Sequence, residues 1–177
     1  QEAIRRSPES AAEYFEIATA HANQAIAEIT QHERQKRLPP NAYQDRAAAY
    51  AFLGQFEPAT RDFTSAIKNH PKEPLSYFKR AECYAAQSQY DKVVNDCKAA
   101  ASLGLRTPTL HFLQGVALRH LQQTAEAISE FSQAIMLDSD LVAAYYERGK
   151  LRQAQGDATA AVQDLSAAIE RSPDVAE

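Results

Sequence analysis

Two thiols (Cys83 and Cys97) and five imidazoles (His21, His32, His70, His111 and His120) are the side chains of this 177-residue chain best suited to nucleophilic, redox or metal chemistry. Two cysteines are too few for a disulfide framework or a thiolate zinc site. The histidines show no His-x-x-x-His cadence with a nearby acid. Cys83 and Cys97 read instead as small hydrophobes of a packed interior. Glu126 and Glu130 stand four apart, as acids do on any solvated helix face. No Gly-x-Ser-x-Gly elbow, phosphate loop or zinc-hydrolase signature is present. The chain therefore reads as a non-enzyme that needs neither cofactor nor metal.

What scaffold would hold these residues follows from composition. Hydrophobic residues make up 45%, aromatics 8% and charged residues 24%, a balance that supports a folded soluble protein. Alanine occurs 34 times against 5 glycines, which favours helix throughout. The formal net charge is −4, so a general nucleic-acid or anionic-membrane surface is not expected. No uncharged apolar run reaches the roughly 20 residues of a spanning helix.

A repeat organises the chain. Stepping by 34 from Ala47 gives Ala81, Gly115 and Gly149, all small. The same step links Tyr43, Tyr77, His111 and Tyr145, and also Phe63, Cys97, Phe131 and Leu165. Two alanine-rich columns, Ala59/Val93/Ala127/Ala161 and Ala66/Ala100/Ala134/Ala168, complete the register. Within each unit the spacing predicts two helices. Tyr43, Ala47 and Tyr50 share one helical face, as do Ala59, Phe63, Ala66 and Ile67 on the next. Gly54 and Gly156 mark turns between them, and Pro71 and Pro173 are placed to stop second helices.

The register resembles the tetratricopeptide repeat family, whose unit is a 34-residue helix–turn–helix. The first unit matches through Tyr43, Ala47, Tyr50, Gly54, Phe56, Ala59, Phe63, Ala66 and Pro71. The second matches through Tyr77, Ala81, Tyr84, Tyr90, Val93, Cys97 and Ala100, and the third through Gly115, Leu118, Ala127, Phe131 and Ala134. The fourth carries Tyr145, Gly149, Gly156, Ala161, Leu165, Ala168 and Pro173. The implied fold is all-α, a right-handed superhelical array of helix–turn–helix units at 40–73, 74–107, 108–141 and 142–175. Departures are specific. Where the family often has leucine before the small first-helix residue, this chain has Arg46, Arg80, Gln114 and Arg148, and Arg152 replaces an apolar residue.

The resemblance also implies a site. In the family the first helix of each unit lines a concave groove, and those positions carry over as Gln44, Phe52, Phe78, Lys79, Glu82, Phe112, Val116, Arg119, Tyr146 and Lys150. Phe78, Phe112 and Tyr146 are one step apart and should form an aromatic line with charge around it. The family's clamp for a C-terminal carboxylate needs basic and Asn residues where this chain has Gln44, Ala48, Lys79, Thr109 and Leu113, so that function is not expected. The implied function is a non-catalytic scaffold that binds a protein or peptide segment with apolar anchors.

The ends read differently. Ala3-Ile4-Arg5-Arg6-Ser7-Pro8 resembles Ala168-Ile169-Glu170-Arg171-Ser172-Pro173, as if residues 1–38 held the close of a preceding repeat. From Glu9 to Leu38 an apolar stripe through Tyr14, Ile17, Ala18, His21, Ala22, Ala25, Ile26 and Ile29 fits one long helix ending near Gln35, or two helices in an irregular unit. Pro39-Pro40 then opens the regular array. A start at Gln1 reads as a processed product or a piece of a longer array, and reduced cysteines suit the cytoplasm. Two other roles fit the same features: a self-assembling segment that forms a homo-oligomer through the N-terminal helix or last repeat, or the targeting module of a larger enzyme.

Overall fold

The computed structural model describes residues 8–36, 38–39 and 41–172, and helix is the regular structure throughout them. In chain order the elements are α1 (Pro8–Arg34), α2 (Ala42–Phe52), α3 (Phe56–Asn69), α4 (Pro74–Ala86), α5 (Tyr90–Ser102), α6 (Pro108–His120), α7 (Thr124–Leu137), α8 (Val142–Ala154) and α9 (Ala158–Glu170). The segment Ala3–Ser7, Pro40 and Pro173 lie outside the described residues. No described helix is long and apolar enough to cross a membrane. The chain divides into two compact units, Gln1–Pro71 with α1–α3 and Lys72–Glu177 with α4–α9.

In the first unit α1 runs as one 27-residue helix and packs on α2, which forms a hairpin with α3. In the second unit α4–α5, α6–α7 and α8–α9 form three hairpins, and α5 packs on α6 and α7 on α8. Local chemistry sets the helix starts. Pro74 and Pro108 occupy the first turns of α4 and α6, where a missing N–H costs nothing. Glu73, Thr107 and Asp157 accept hydrogen bonds from Leu75 N, Leu110 N and Ala160 N at 3.0–3.2 Å, capping α4, α6 and α9.

Every hairpin turn is closed in the same way. Gln55 N donates to Tyr50 O, Gln89 N to Tyr84 O, Gln123 N to Leu118 O and Asp157 N to Arg152 O, at 2.8–3.0 Å. This is the Schellman closure, and it demands a left-handed residue just past the helix. Gly54 (φ 70°) and Gly156 (φ 84°) supply it without strain, whereas Ser88 (φ 57°) and Gln122 (φ 60°) hold the same conformation against their Cβ atoms.

Between paired helices the small column meets the bulky one. Ala47, Ala81, Phe63, Cys97 and Phe131 are all buried. A Cβ built on Gly115 would lie 2.8 Å from the Phe131 ring, and one on Gly149 would lie 3.0 Å from Leu165. Gly115 thus leaves no room for a Cβ opposite Phe131, while alanine stands opposite Phe63 and Cys97. Burial pushes the Cys83 thiol up to about 11 and the Cys97 thiol up to about 12, with the nearby carboxylates Glu82 and Asp96 adding to it.

A charged column runs beside the apolar ones. Arg46 Nε and Nη2 donate to Asp62 Oδ2 and Oδ1 at 2.6 and 2.9 Å. Arg80 makes the same pair of bonds to Asp96 at 2.7 and 2.8 Å, and Arg148 to Asp164 at 2.9 and 2.6 Å. Each guanidinium carbon also lies 5.7–5.8 Å from the ring centre of the tyrosine three residues earlier, Tyr43, Tyr77 or Tyr145. Arg152 donates to the same Asp164 at 2.8 Å, which accounts for a charge at an apolar position. Hydrogen bonding to Asp62 holds Arg46 far above its ordinary pKa against the cost of burial, and Glu33 adds to it. Burial opposes the charge of Arg80, yet the hydrogen bonds and field of Asp96 prevail and its pKa is also raised. In the third hairpin Glu130 takes the acid's place. Gln114 Nε2 donates to its Oε1 at 3.0 Å, and His111 Nδ1 lies 2.8 Å from its Oε2.

These features yield three expectations. Ser88→Gly and Gln122→Gly each relieve a left-handed Cβ and raise unfolding free energy by roughly 0.5–1 kcal/mol, whereas Gly54→Ala lowers it by a similar amount; urea melts measure all three. Asp96→Ala strands a buried guanidinium and costs about 3–5 kcal/mol, while the double change Arg80→Met with Asp96→Leu costs less than that single one. The thiols give a pH signature. Because their folded pKa values are raised, their contribution to stability is intact below the unfolded pKa of about 9 and is lost as pH climbs from there toward 11–12, at about 1.4 kcal/mol per pH unit per thiol. Native protein at pH 8 should leave both unreactive to a thiol reagent, and denatured protein should expose both.

Candidate partner-binding site

One helical residue separates the tyrosine column from the groove column, so Gln44, Phe78, Phe112 and Tyr146 sit about 100° around each first helix from Tyr43, Tyr77, His111 and Tyr145. That rotation carries them from the hairpin interface to the neighbouring face. Within the second unit three of these residues occupy distinct environments. Phe78 on α4 is buried at 7% exposure, Phe112 on α6 is half-buried, and Tyr146 on α8 is 48% exposed. The Phe112 ring tilts against Phe131 with centroids 5.6 Å apart, so part of its surface belongs to the core. Val116, one turn further along α6, is half-buried against the same core.

A cleft of about 220 Å³ opens where α4, α6 and the start of α8 meet. Phe78, Phe112, Leu113 and Leu141 form its walls, with Glu82 and Thr109 at its polar edge. Its size suits one apolar side chain rather than a small-molecule ligand. Three of the sequence-derived residues, Phe78, Glu82 and Phe112, therefore converge on one cavity. Leu141 was not among them. It precedes α8, and its column (Thr107 one step earlier) gives no consistent signal.

The charged candidates form the surroundings as local pairs. Lys79 Nζ lies 2.8 Å from Glu82 Oε2 and 5.7 Å from the Phe78 ring centre. Arg119 Nε approaches Glu147 Oε2 to 3.3 Å as an ion pair between α6 and α8, without the alignment of a hydrogen bond. Lys150 Nζ sits 5.3 Å from the Tyr146 ring centre. The Lys79–Glu82 pair is exposed and contributes little energy, whereas Arg119 and Glu147 are half-buried. In the first unit, Gln44 is half-buried and Phe52 is exposed at the end of α2, its ring 5.8 Å from Phe15 of α1.

Several of the side chains best suited to chemistry are engaged structurally. The thiols are buried and held protonated, His111 is engaged with Glu130, and His120 stacks on Tyr90 with centroids 4.1 Å apart. Among the described residues no group of three or more His, Cys, Asp or Glu is placed to hold a metal ion.

No curated protein matches the chain in sequence. Solved structures match it closely in fold. The crystal structure of MamA superposes with a TM-score of 0.81 at 14% identity, covering 88% of this chain and 91% of that one. MamA 41-end from Desulfovibrio magneticus RS-1 gives 0.80 at 16% identity, covering 94% and 97%. YrrB, described as a TPR protein with an unusual peptide-binding site, gives 0.72 at 19% identity, covering 81% and 74%. At these identities the likeness is one of fold. Family models add the sequence evidence: tetratricopeptide repeat models match residues 45–92 and 142–175, and a TPR repeat model matches 115–156. With its 34-residue hairpins closed by one turn type, the chain belongs to the tetratricopeptide repeat family.

Proposed function

We propose that this protein is a non-catalytic scaffold that binds a partner protein or peptide through an apolar anchor seated in the cleft between α4, α6 and the start of α8. The observation that carries this reading is the cleft itself: an apolar cavity of one side chain's size, walled by Phe78, Phe112, Leu113 and Leu141, with Glu82 and Thr109 at its polar edge. An apolar pocket with a polar edge is the usual composition of an interaction hot spot. The walls are held by packed helices, so the cost of ordering falls on the ligand. A peptide-binding site in YrrB, which has the same fold, supports the same role for this chain.

Peptides selected from a displayed random library against the whole chain test the proposal. The selected set should carry an aliphatic or aromatic anchor, and Leu113→Asp should weaken its binding by tenfold or more while the thermal melt stays cooperative. A milder Phe112→Leu should cost a few-fold by thinning the wall. Binding unchanged in a folded Leu113→Asp chain would remove the cleft from the function.

A further inference from the structure

The helix α1 carries both helices of a repeat unit without the turn between them. Its second half keeps the 34-residue register, since Ala25 and Ile29 stand one step before Ala59 and Phe63. Thr30 accepts a hydrogen bond from Arg46 Nη1 at 3.3 Å, as Ser132 three steps later accepts one from Arg148 Nη1 at 2.9 Å. The first half of α1 matches the first-helix columns at a step of 29: Tyr14, Ala18 and His21 precede Tyr43, Ala47 and Tyr50. A step of 29 in place of 34 means that five residues are missing. They correspond to residues 51–55, where Gly54 makes the left-handed turn. The two halves therefore run straight on as one 27-residue helix. The consequence is an open face. At 100° per residue, Tyr14, Ala18, His21, Ala25, Ile29 and His32 fall on one side of α1. In all four described hairpins the columns of Ala18, Ala25 and His32 are buried. On α1 only Ile29 of the six is buried; Ala18 and Ala25 are half-buried, and Tyr14, His21 and His32 are exposed. The opening comes from the missing turn, within the described residues.

We infer that a second copy of this chain closes the unit: two α1 helices pair antiparallel, and the first half of each packs on the second half of the other. This pairing does not depend on the peptide cleft. The occupant is specified because one helix carries both halves of a complementary pair. In the hairpins a small first-helix residue meets a bulky one sixteen residues later, Gly115 on Phe131 and Gly149 on Leu165. Carried onto α1, the same match sets Ala18 of one copy opposite Ile29 of the other. The two-fold axis that this implies also sets Ala22 opposite Ala25 and Phe15 opposite His32. Alanine at the centre lets the two helices approach closely. Being isologous, the pairing closes at two chains, and loss of a hinge is a known route to such exchange. Phe15 is 63% exposed, and Phe52 extends the patch with its ring 5.8 Å away. Burying Tyr14, Phe15 and Phe52 on both copies removes on the order of 700 Å² of apolar surface, the apolar share of a specific interface of about 1,200 Å².

Sedimentation of the full chain should show a dimer that dissociates on dilution. Phe15→Asp should weaken it more than tenfold, with circular dichroism unchanged because Phe15 is exposed. The decisive variant restores the turn. A copy of residues 51–55 inserted between His21 and Ala22 lets the two halves fold back on each other, so that chain should be a helical monomer. Oxidation reads the register separately. Chains carrying Phe15→Cys should cross-link to chains carrying His32→Cys and neither to itself, while the buried Cys83 and Cys97 stay silent. Leu113→Asp, in the peptide cleft, should leave the dimer unchanged. A monomer at every concentration overturns the inference, and so does a dimer indifferent to Phe15→Asp or one that survives the insertion. Phe15→Cys chains that cross-link to themselves overturn the antiparallel register. A dimer that forms only once residues 1–7 are removed would likewise overturn the inference, by assigning the open face to the preceding segment.

Discussion

An arginine that reaches across a hairpin to an aspartate sixteen residues later holds the register of three of the four described hairpins. A guanidinium and a carboxylate paired through two hydrogen bonds share a plane, so the pair sets both the rotation and the register of the two helices that carry it. Apolar packing alone tolerates slippage. A buried charge does not, because losing its partner leaves it desolvated and uncompensated. The same arginine also donates to a hydroxyl on the preceding helix in two places, from Arg46 to Thr30 and from Arg148 to Ser132. In those two hairpins it therefore ties the hairpin to itself and to the helix before it. Glu130 shows the strength of the constraint by how its hairpin departs from it. Where arginine is replaced by Gln114, the acid keeps two partners because His111 stands where the other hairpins have tyrosine.

The turn makes that geometry available. Gly54 lies eight residues after Arg46 and eight before Asp62, and the other hairpins keep this spacing. One extra residue would rotate the aspartate by about 100° and carry it off the shared face. The Schellman closure excludes such drift by forcing a single left-handed residue at a fixed place, even where serine or glutamine must adopt it. The tight approach of Gly115 to Phe131 is a second consequence. With register fixed by charge and turn, a bulky residue in one column must meet a small one in the other.

Much of this was legible in the sequence, and what was missed has physical causes. The 34-residue columns located the paired helices, the turn glycines and the small-to-large packing. The arginines at 46, 80 and 148 registered only as departures from an apolar pattern, because their meaning lies in a second column. Asp62, Asp96, Glu130 and Asp164 keep the same step, and pairing the two columns at sixteen residues would have revealed the buried bridges. Periodicity read for hydrophobicity alone passes over charges that are buried in pairs. Ser88 and Gln122 were likewise readable as left-handed positions from Gly54 and Gly156 one step away, although nothing in their own side chains favours that conformation. Residues 9–35 offered one helix or two, and a single α1 results; no glycine or proline interrupts it, and Ala22 and Ile29 bury on one face.

The groove column shows where reading by residue type ends. Phe78, Phe112 and Tyr146 are equivalent in sequence and increase in exposure along the chain. Their chemistry does not explain the order, since tyrosine and phenylalanine differ by one hydroxyl. What differs is the number of helices that follow. Phe78 is succeeded by α6, which packs back against α4, and Phe112 by Leu141 at the start of α8, while α8–α9 is the last described hairpin. In a repeat array each first helix is partly roofed by its successor, so exposure at a column belongs to a position in the stack rather than to a residue. One aromatic column can thus be core at Phe78 and exposed at Tyr146 without any change in residue chemistry.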